Sequence, residues 1–384
     1  MTSHDDGCGG RQVRWSLFVL PAVLVAAIAT GTACKTTNKA QTPREWVQET
    51  RKAMKTPFDQ EKGLVFTAAQ VGRVDVLIWL KSQGTAIHVT SASGWTPLFY
   101  AASHGQIEAM AWLRDLGADL NAVANDGATP MTVAAMHGQV GAMAWLNDQG
   151  VYLHLQADTS VWMVMLHAAE FGQIEVMKWL KEQGADIEAQ SDDGLTPMII
   201  AAGNGRIEAM KWLKEQGADV NTEGGGWTTG WTPMFQAAEA GQIEAMKWLK
   251  EQGAEVDAKM SNGMTPMFFA AANGRVETMK WLQSQGVDLQ TTDDNGWTVM
   301  FHAAKFGHIE AMKWLKEQGE EIEVRSRDGL TPMFIAAEYD QIEVMKWLKE
   351  QGADVNAKNP GGLTPLPFAA EDAKAWLLAN GAEE

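Results

Sequence analysis

Histidine is the residue type in this chain best suited to acid-base or metal chemistry, and eight occur: His4, His88, His104, His137, His154, His167, His302 and His308. None stands in a His-Glu-x-x-His pair, the spacing that sets two imidazoles on one helix face around zinc. No Gly-Lys-Ser/Thr phosphate loop occurs. The glycine run at 224–226 has no strand before it and no suitable helix start directly after it, so it reads as a flexible finger tip. His104 and His137 lie one sequence repeat apart and can approach one another. His167 and His302 occupy the same place four repeats apart, too distant to share a ligand at roughly 9 Å per stacked helix. Two cysteines, Cys8 and Cys34, build neither a disulfide scaffold nor a Cys-rich zinc site. The expectation is a protein that is not an enzyme and holds no metal or cofactor, with its histidines on a binding face.

The elements that must position these side chains repeat. Trp79, Trp112, Trp145, Trp179, Trp212, Trp248, Trp281, Trp314, Trp347 and Trp376 stand in register, at intervals of 33, 33, 34, 33, 36, 33, 33, 33 and 29. The clearest unit runs GWTPMFQAAEAGQIEAMKWLKEQGAEVDA from Gly230 to Ala258. Thr232-Pro233 reads as a helix start, with threonine as cap and proline at the first helical position. A short inner helix follows, whose alanines admit close neighbours. Gly241 suits a left-handed reversal. An outer helix then places Ile243, Ala245, Met246, Trp248 and Leu249 on one apolar face, with Glu244, Lys247, Lys250 and Glu251 outward. Gly253 closes that helix, and a polar extended turn leads to the next threonine.

The period of 33, TPLF at Thr96, TPMF at Thr232, Thr265 and Thr331, the AAxxG element and the GADVN-type closures at Gly217–Asn221 and Gly352–Ala357 resemble ankyrin repeats. The resemblance spans about 58–384, some 85% of the chain. It implies an all-α repeat solenoid of about ten stacked helix-turn-helix units with projecting β-hairpin-like fingers, and a role in binding other proteins. Departures from the pattern are specific. The tetrapeptide's histidine is replaced by Phe99, Phe235, Phe268, Phe301 and Phe334, which removes its hydrogen-bonding role. Asp340 stands where a turn glycine belongs, at some cost in a left-handed position. The unit at Trp162 has Met163-Val164 for Thr-Pro, so its inner helix is expected to be poorly capped. Residues 222–227 lengthen one finger, and the last unit is short and lacks its internal turn.

Residues 1–34 read differently. Arg11 and Arg14 precede an apolar run from Trp15 to Ala33 that ends in Gly31-Thr32-Ala33-Cys34, the form of an export signal. The cysteine after small residues resembles the lipobox of bacterial lipoproteins, which implies lipidation at Cys34, although that family prefers leucine where Gly31 stands. Cleavage at Ala33, or retention of the run as a membrane anchor, are the alternatives. Residues 35–57 read as a basic linker with a capping helix: Thr42-Pro43-Arg44-Glu45 has capping-box form, and a helix over about Pro43 to Met54 would cover the first repeat. Residues 35–62 carry +3 and residues 63–384 carry −20, within a net charge of −17. That balance argues against nucleic acid, whose binding needs Lys and Arg to displace counterions. It favours a partner protein with a basic surface, and contact with membrane through the lipid anchor only.

In such units, contacts usually come from the residue before threonine and from the two residues ahead of the turn glycine. The first position reads Trp95, Ala128, Trp162, Leu195, Trp231, Met264, Trp297, Leu330 and Leu363, large and apolar in all but Ala128. The second reads His104, His137, Phe171, Phe306 and Tyr339. A partly exposed row of this composition suits protein binding, while the alternative is that a tryptophan before threonine lies flat on the next finger and is mostly buried. The outer-helix tryptophans, such as Trp212, Trp248 and Trp281, are expected in the core instead. The sequence thus points to a lipid-anchored interaction module of the bacterial cell envelope, facing periplasm or cell surface, with a soluble periplasmic form as alternative. An inhibitor or immunity role toward a periplasmic enzyme or toxin is the other functional reading.

Overall fold

The computed structural model describes residues 41–54, 60–151, 160–224 and 230–383. The leader with Cys34, the linker up to residue 40 and finger residues 225–229 lie outside them. Among the described residues there are twenty α-helices and no β-strand. The fingers pair through one isolated bridge there, Gly224 with Trp231. Contacts divide the chain into two compact units, Met1–Asp186 and Ile187–Glu384.

In the first unit a leading helix, α1 (Pro43–Ala53), precedes four inner/outer pairs. These are α2 (Gln60–Gln70) with α3 (Val74–Ser82), α4 (Pro97–Ser103) with α5 (Ile107–Asp115), α6 (Pro130–Met136) with α7 (Val140–Asp148), and α8 (Ser160–Phe171) with α9 (Ile174–Glu182). In the second unit the pairs are α10 (Pro197–Gly203) with α11 (Ile207–Glu215), α12 (Pro233–Ala240) with α13 (Ile243–Glu251), α14 (Pro266–Ala272) with α15 (Val276–Ser284), α16 (Val299–Lys305) with α17 (Ile309–Glu317), and α18 (Pro332–Glu338) with α19 (Ile342–Glu350). A 3₁₀ turn at Leu366–Phe368 and α20 (Glu371–Ala379) complete it.

Thr42 caps α1 with the full reciprocal box, its hydroxyl taking the Glu45 N–H and the Glu45 carboxylate taking the Thr42 N–H. Trp46 and Val47 are buried beneath this helix. Arg73 ties it to the first repeat, donating to the Gln41 carbonyl at 2.8 Å while forking onto Asp75 at 2.8 and 2.7 Å.

Proline and an extended threonine start the inner helices, and the threonine hydroxyl contributes less than the sequence implies. Thr129 and Thr196 cap with their side chains; Thr96, Thr232, Thr265, Thr298 and Thr331 do not. A residue before proline is held out of the helical region by the ring, which sets the boundary in all of these but one: Thr298 precedes Val299 and is extended all the same. Repeat four shows the converse. With Val164 at the proline position, α8 continues a full turn further back, to Ser160, rather than fraying.

Phenylalanine and alanine build the core of each stack. Phe99, Phe235, Phe268, Phe301 and Phe334 are sealed from solvent, as are the paired alanines beside them. Each inner helix ends in a left-handed residue, at Gly105 with φ 65° and at Gly241 with φ 82°. A Cβ on Gly105 would lie 2.4 Å from the amide oxygen of Gln139, the residue that opens the next outer helix. The glycine therefore serves twice, in its backbone and in the seat it offers the following repeat.

Asp340 is the exception among the described residues, a side chain at φ 56°. The repeat after it has no turn and no glutamine to fill the seat. The Asp340 carboxylate fills it, accepting the Ala373 N–H at 2.9 Å near the start of α20, while Ala370 N–H donates to the Ala337 carbonyl at 3.0 Å. Asp340→Ala should keep the backbone strain and lose the cap, costing about 1–3 kcal/mol. Hydrogen exchange should show the loss concentrated in α20, with the middle of the second unit unchanged; uniform loss of protection would contradict the assignment.

Candidate protein-binding surface

Most residues before threonine are buried, as the second of the two readings has it and not as a partly exposed row; Leu363, before Thr364, is exposed. Trp95, Leu195, Trp231, Met264 and Trp297 all lie within the core. Leu330 is half-buried, and the side chain of Trp162 lies outside the described residues. The cause is local. The finger folds back so that each indole stacks on the phenylalanine four residues later: Trp95 on Phe99, Trp231 on Phe235 and Trp297 on Phe301, each with centroids 5.6 Å apart. Turn hydrogen bonds hold the fold-back, from Trp95 N–H to the Ser91 hydroxyl at 3.0 Å and from Trp297 N–H to the Asp293 carboxylate at 2.8 Å. The outer-helix tryptophans are no more deeply placed: Trp212, Trp314 and Trp347 are buried, whereas Trp248 and Trp281 are half-buried.

The residues ahead of the turn remain accessible. His104 and Tyr339 are exposed, and His137, Phe171 and Phe306 are half-buried. In the first unit the His104 and His137 rings lie 6.3 Å apart with planes at 28°. Partial burial, then the neighbouring His137, lower the His104 pKa. His167 and His302 leave the binding face. Both are buried, His167 within 3.2 Å of Glu170 and His302 within 3.3 Å of Asp293. Among the described residues no three of His, Cys, Asp and Glu converge as a metal ion would require.

In the second unit the face is charged. Lys305 is buried with its ammonium 4.6 Å from the Tyr339 ring and 5.6 Å from each of Trp297 and Phe306, a cation held over aromatic faces. The Trp231 indole donates to Gln236 at 2.9 Å, and the Gln236 amide donates to Glu239 at 3.2 Å. Burial raises the Glu239 pKa, partly offset by Gln236 and Arg275. Gly203 makes this network possible, since a Cβ there would meet Gln236 at 2.6 Å.

The family described as ankyrin repeats in three copies matches seven overlapping stretches, residues 65–157, 147–224, 164–260, 222–293, 247–326, 267–359 and 319–383. The chain belongs to the ankyrin-repeat family. Among solved structures it is similar to the crystal structure of the human ASB11 ankyrin repeat domain, at 25% identity over 57% of this chain and 98% of that one, with a TM-score of 0.46. The comparison with curated proteins found no match. Ankyrin repeats are generally protein–protein interaction modules and typically non-enzymatic.

The position just ahead of the alanine pair escaped the sequence reading. It holds Tyr100, Ile200 and Phe269, half-buried on the inner-helix face, where Val133, His167, His302 and Ile335 of other repeats are buried. Its signal was the same variability between repeats that marked the turn positions. Because Trp231 is buried and bonded, Trp231→Ala should cost about 3–5 kcal/mol. Trp248→Ala removes a half-buried side chain and should cost less. Thermal melts of the two variants side by side check this; an earlier melt for Trp248→Ala would contradict it.

Proposed function

We propose that this ankyrin-repeat protein is an interaction module of the bacterial cell envelope, held to a membrane by lipid on Cys34 and binding a partner protein on its inner-helix faces. The observation that carries the binding role is the set of aromatic and imidazole side chains left accessible at the turns: His104, His137, Phe171, Phe306 and Tyr339. Rings placed on rigid helices lose little entropy on contact and give the compact anchors that dominate interfaces. The charge of −20 over residues 63–384 favours a partner with a basic surface.

The anchoring reading rests on Arg11, Arg14, the apolar run and the small residues before Cys34. Among the described residues no helix is long and apolar enough to cross a membrane. Several acyl chains at one cysteine would give stable attachment where a single chain would not. The basic stretch 35–62 would then lie next to anionic lipid.

Two measurements test the proposal. Cys34→Ser should move the protein from membrane to soluble fractions and abolish labelling by fatty acid; a wild type that never takes up label removes the anchor. Crosslinking in envelope fractions should capture a partner, with association slowing as salt rises from low to physiological. A captured enzyme or toxin held in a stoichiometric complex would make the role inhibitory, whereas several weaker partners would make it scaffolding.

A further inference from the structure

The residue that follows each turn glycine is seated on the repeat before it, and its chemistry is narrow. Glutamine fills five of these seats, arginine three, and His308 one. All three types offer an N–H donor. The Gln173 amide donates to the Met136 carbonyl at 3.1 Å and Arg275 Nε–H donates to the Glu239 carbonyl at 3.1 Å, in both cases two residues ahead of the glycine they cover. His308 takes the same place over Gly274, hydrogen-bonding the Ala272 carbonyl. A Cβ on Gly274 would come within 2.6 Å of His308 Nδ1 and 3.0 Å of its Cγ. His308 also opens α17, its own N–H donating to the Ala303 carbonyl at 2.9 Å, so the ring and the helix start move together.

Arginine places its charge outside the seat. Arg206 and Arg275 are exposed, and Arg73 forks onto Asp75. The imidazole is too short for that, so a protonated His308 holds its charge in a half-buried seat. The elements packed around it supply no counterion among the described residues. On one side α14 has no titratable side chain, and Arg275 opens α15, whose Glu277 pairs with Lys280 at 2.7 Å. Within its own repeat, His302 of α16 lies with Asp293, Lys305 lies over aromatic rings, and Glu310 of α17 pairs with Lys313 at 2.7 Å. Beyond, α18 and its turn bring Glu338 and Asp340, the latter committed to the α20 cap, and Glu343 of α19 pairs with Lys346 at 2.6 Å. Arg275 is the charged group that acts on the ring. Burial foremost, and Arg275 with it, lower the His308 pKa against the opposing pull of the Ala272 carbonyl.

We propose that His308 makes the junction between the α14–α15 repeat and the α16–α17 repeat acid-labile, so that the second unit loosens there first as pH falls. The neutral ring suits the seat; the charged ring loses water there and gains no partner. A group held below its ordinary pKa stabilises the fold fully above the unfolded histidine value, about 6.5, and loses that contribution as pH falls through the folded value. In a stack held by nearest-neighbour contacts, one weakened interface decides where opening begins. The finger end of the same junction responds in the other direction. There Gln290 donates to Glu320, whose pKa is raised by burial and then by Asp288 and Glu321, so protonation relieves that carboxylate. Opening therefore starts at the turns. The inference is independent of what the protein binds, although any surface continued across the junction would be interrupted by acid.

The test follows the full-length protein by NMR of the His308 ring and by hydrogen exchange at pH 7.5 and pH 5.5, corrected for the intrinsic pH dependence of exchange. His308 should titrate below the ordinary histidine range, and α16 and α17 should lose protection several-fold on acidification relative to α12 and α13. His308→Gln, which installs the residue of five other seats, should keep the protection seen at pH 7.5 and abolish the loss at pH 5.5. Because His302 is unchanged in that variant, the comparison separates the two histidines of the repeat. A His308 titration at or above the ordinary range, an equal loss across α10 to α19, or a loss that persists in His308→Gln would overturn the proposal.

Discussion

One left-handed residue per repeat governs this structure. At Gly105 and Gly138 the chain reverses with φ near 65° and 72°, and in each case the glutamine opening the following repeat occupies the space a Cβ would need. Reversal and stacking are therefore a single constraint. A side chain at either glycine would strain the backbone and also push the next repeat away. Further contacts between neighbours then fall into register, such as Lys316 donating to Gln351 at 2.7 Å and the Asp354 N–H donating to Glu323 at 2.8 Å. These exposed bonds are weak singly. They follow from the alignment that the turn imposes rather than creating it.

The aromatic core has a consequence at the helix starts. The family tetrapeptide ends in histidine, and here Phe268, Phe301 and Phe334 take its place. Phenylalanine fills the interior but offers nothing to a hydroxyl. In those same three repeats Thr265, Thr298 and Thr331 have buried hydroxyls without a hydrogen-bond partner. An unpaired buried hydroxyl opposes folding, whereas an apolar group of the same shape would not. Packing area has thus replaced polar satisfaction, and the threonines persist through their extended backbone, with a proline following Thr265 and Thr331 and Val299 following Thr298.

Much of this was legible in the sequence because period and backbone chemistry are local. Thr-Pro marked the starts of α12, α14 and α18, and Asp340 was readable as a left-handed residue from its place alone. The burial of Trp95, Trp231 and Trp297 was legible only as one of two readings, because it depends on how the finger returns. The clue lay in the spacing Trp-x-x-x-Phe, which puts two rings four residues apart across a helix start. Repeat four differs in another way: loss of Thr-Pro removed a stop signal, and α8 begins at Ser160, with the residue before it outside the described ones. The place of Lys305 against Trp297, Phe306 and Tyr339 had no sequence signal, because it depends on rings brought together from a finger and two inner helices.

These constraints also explain why binding chemistry gathers where it does. The residue before threonine is committed to its phenylalanine, the turn residue to the next repeat, and the alanines to close helix contact. The two residues ahead of the turn and the one ahead of the alanines carry fewer such obligations. They hold side chains as unlike as Gln70, Tyr100, His104 and Phe171 without disturbing the stack. Even so, the freedom is partial: Gly203 must stay small to admit Gln236. A surface assembled from positions that stacking leaves unclaimed can change its partner without changing its fold: the residue just ahead of the turn is His104 or His137 in two repeats and Phe171 or Phe306 in two others, on one unchanged backbone.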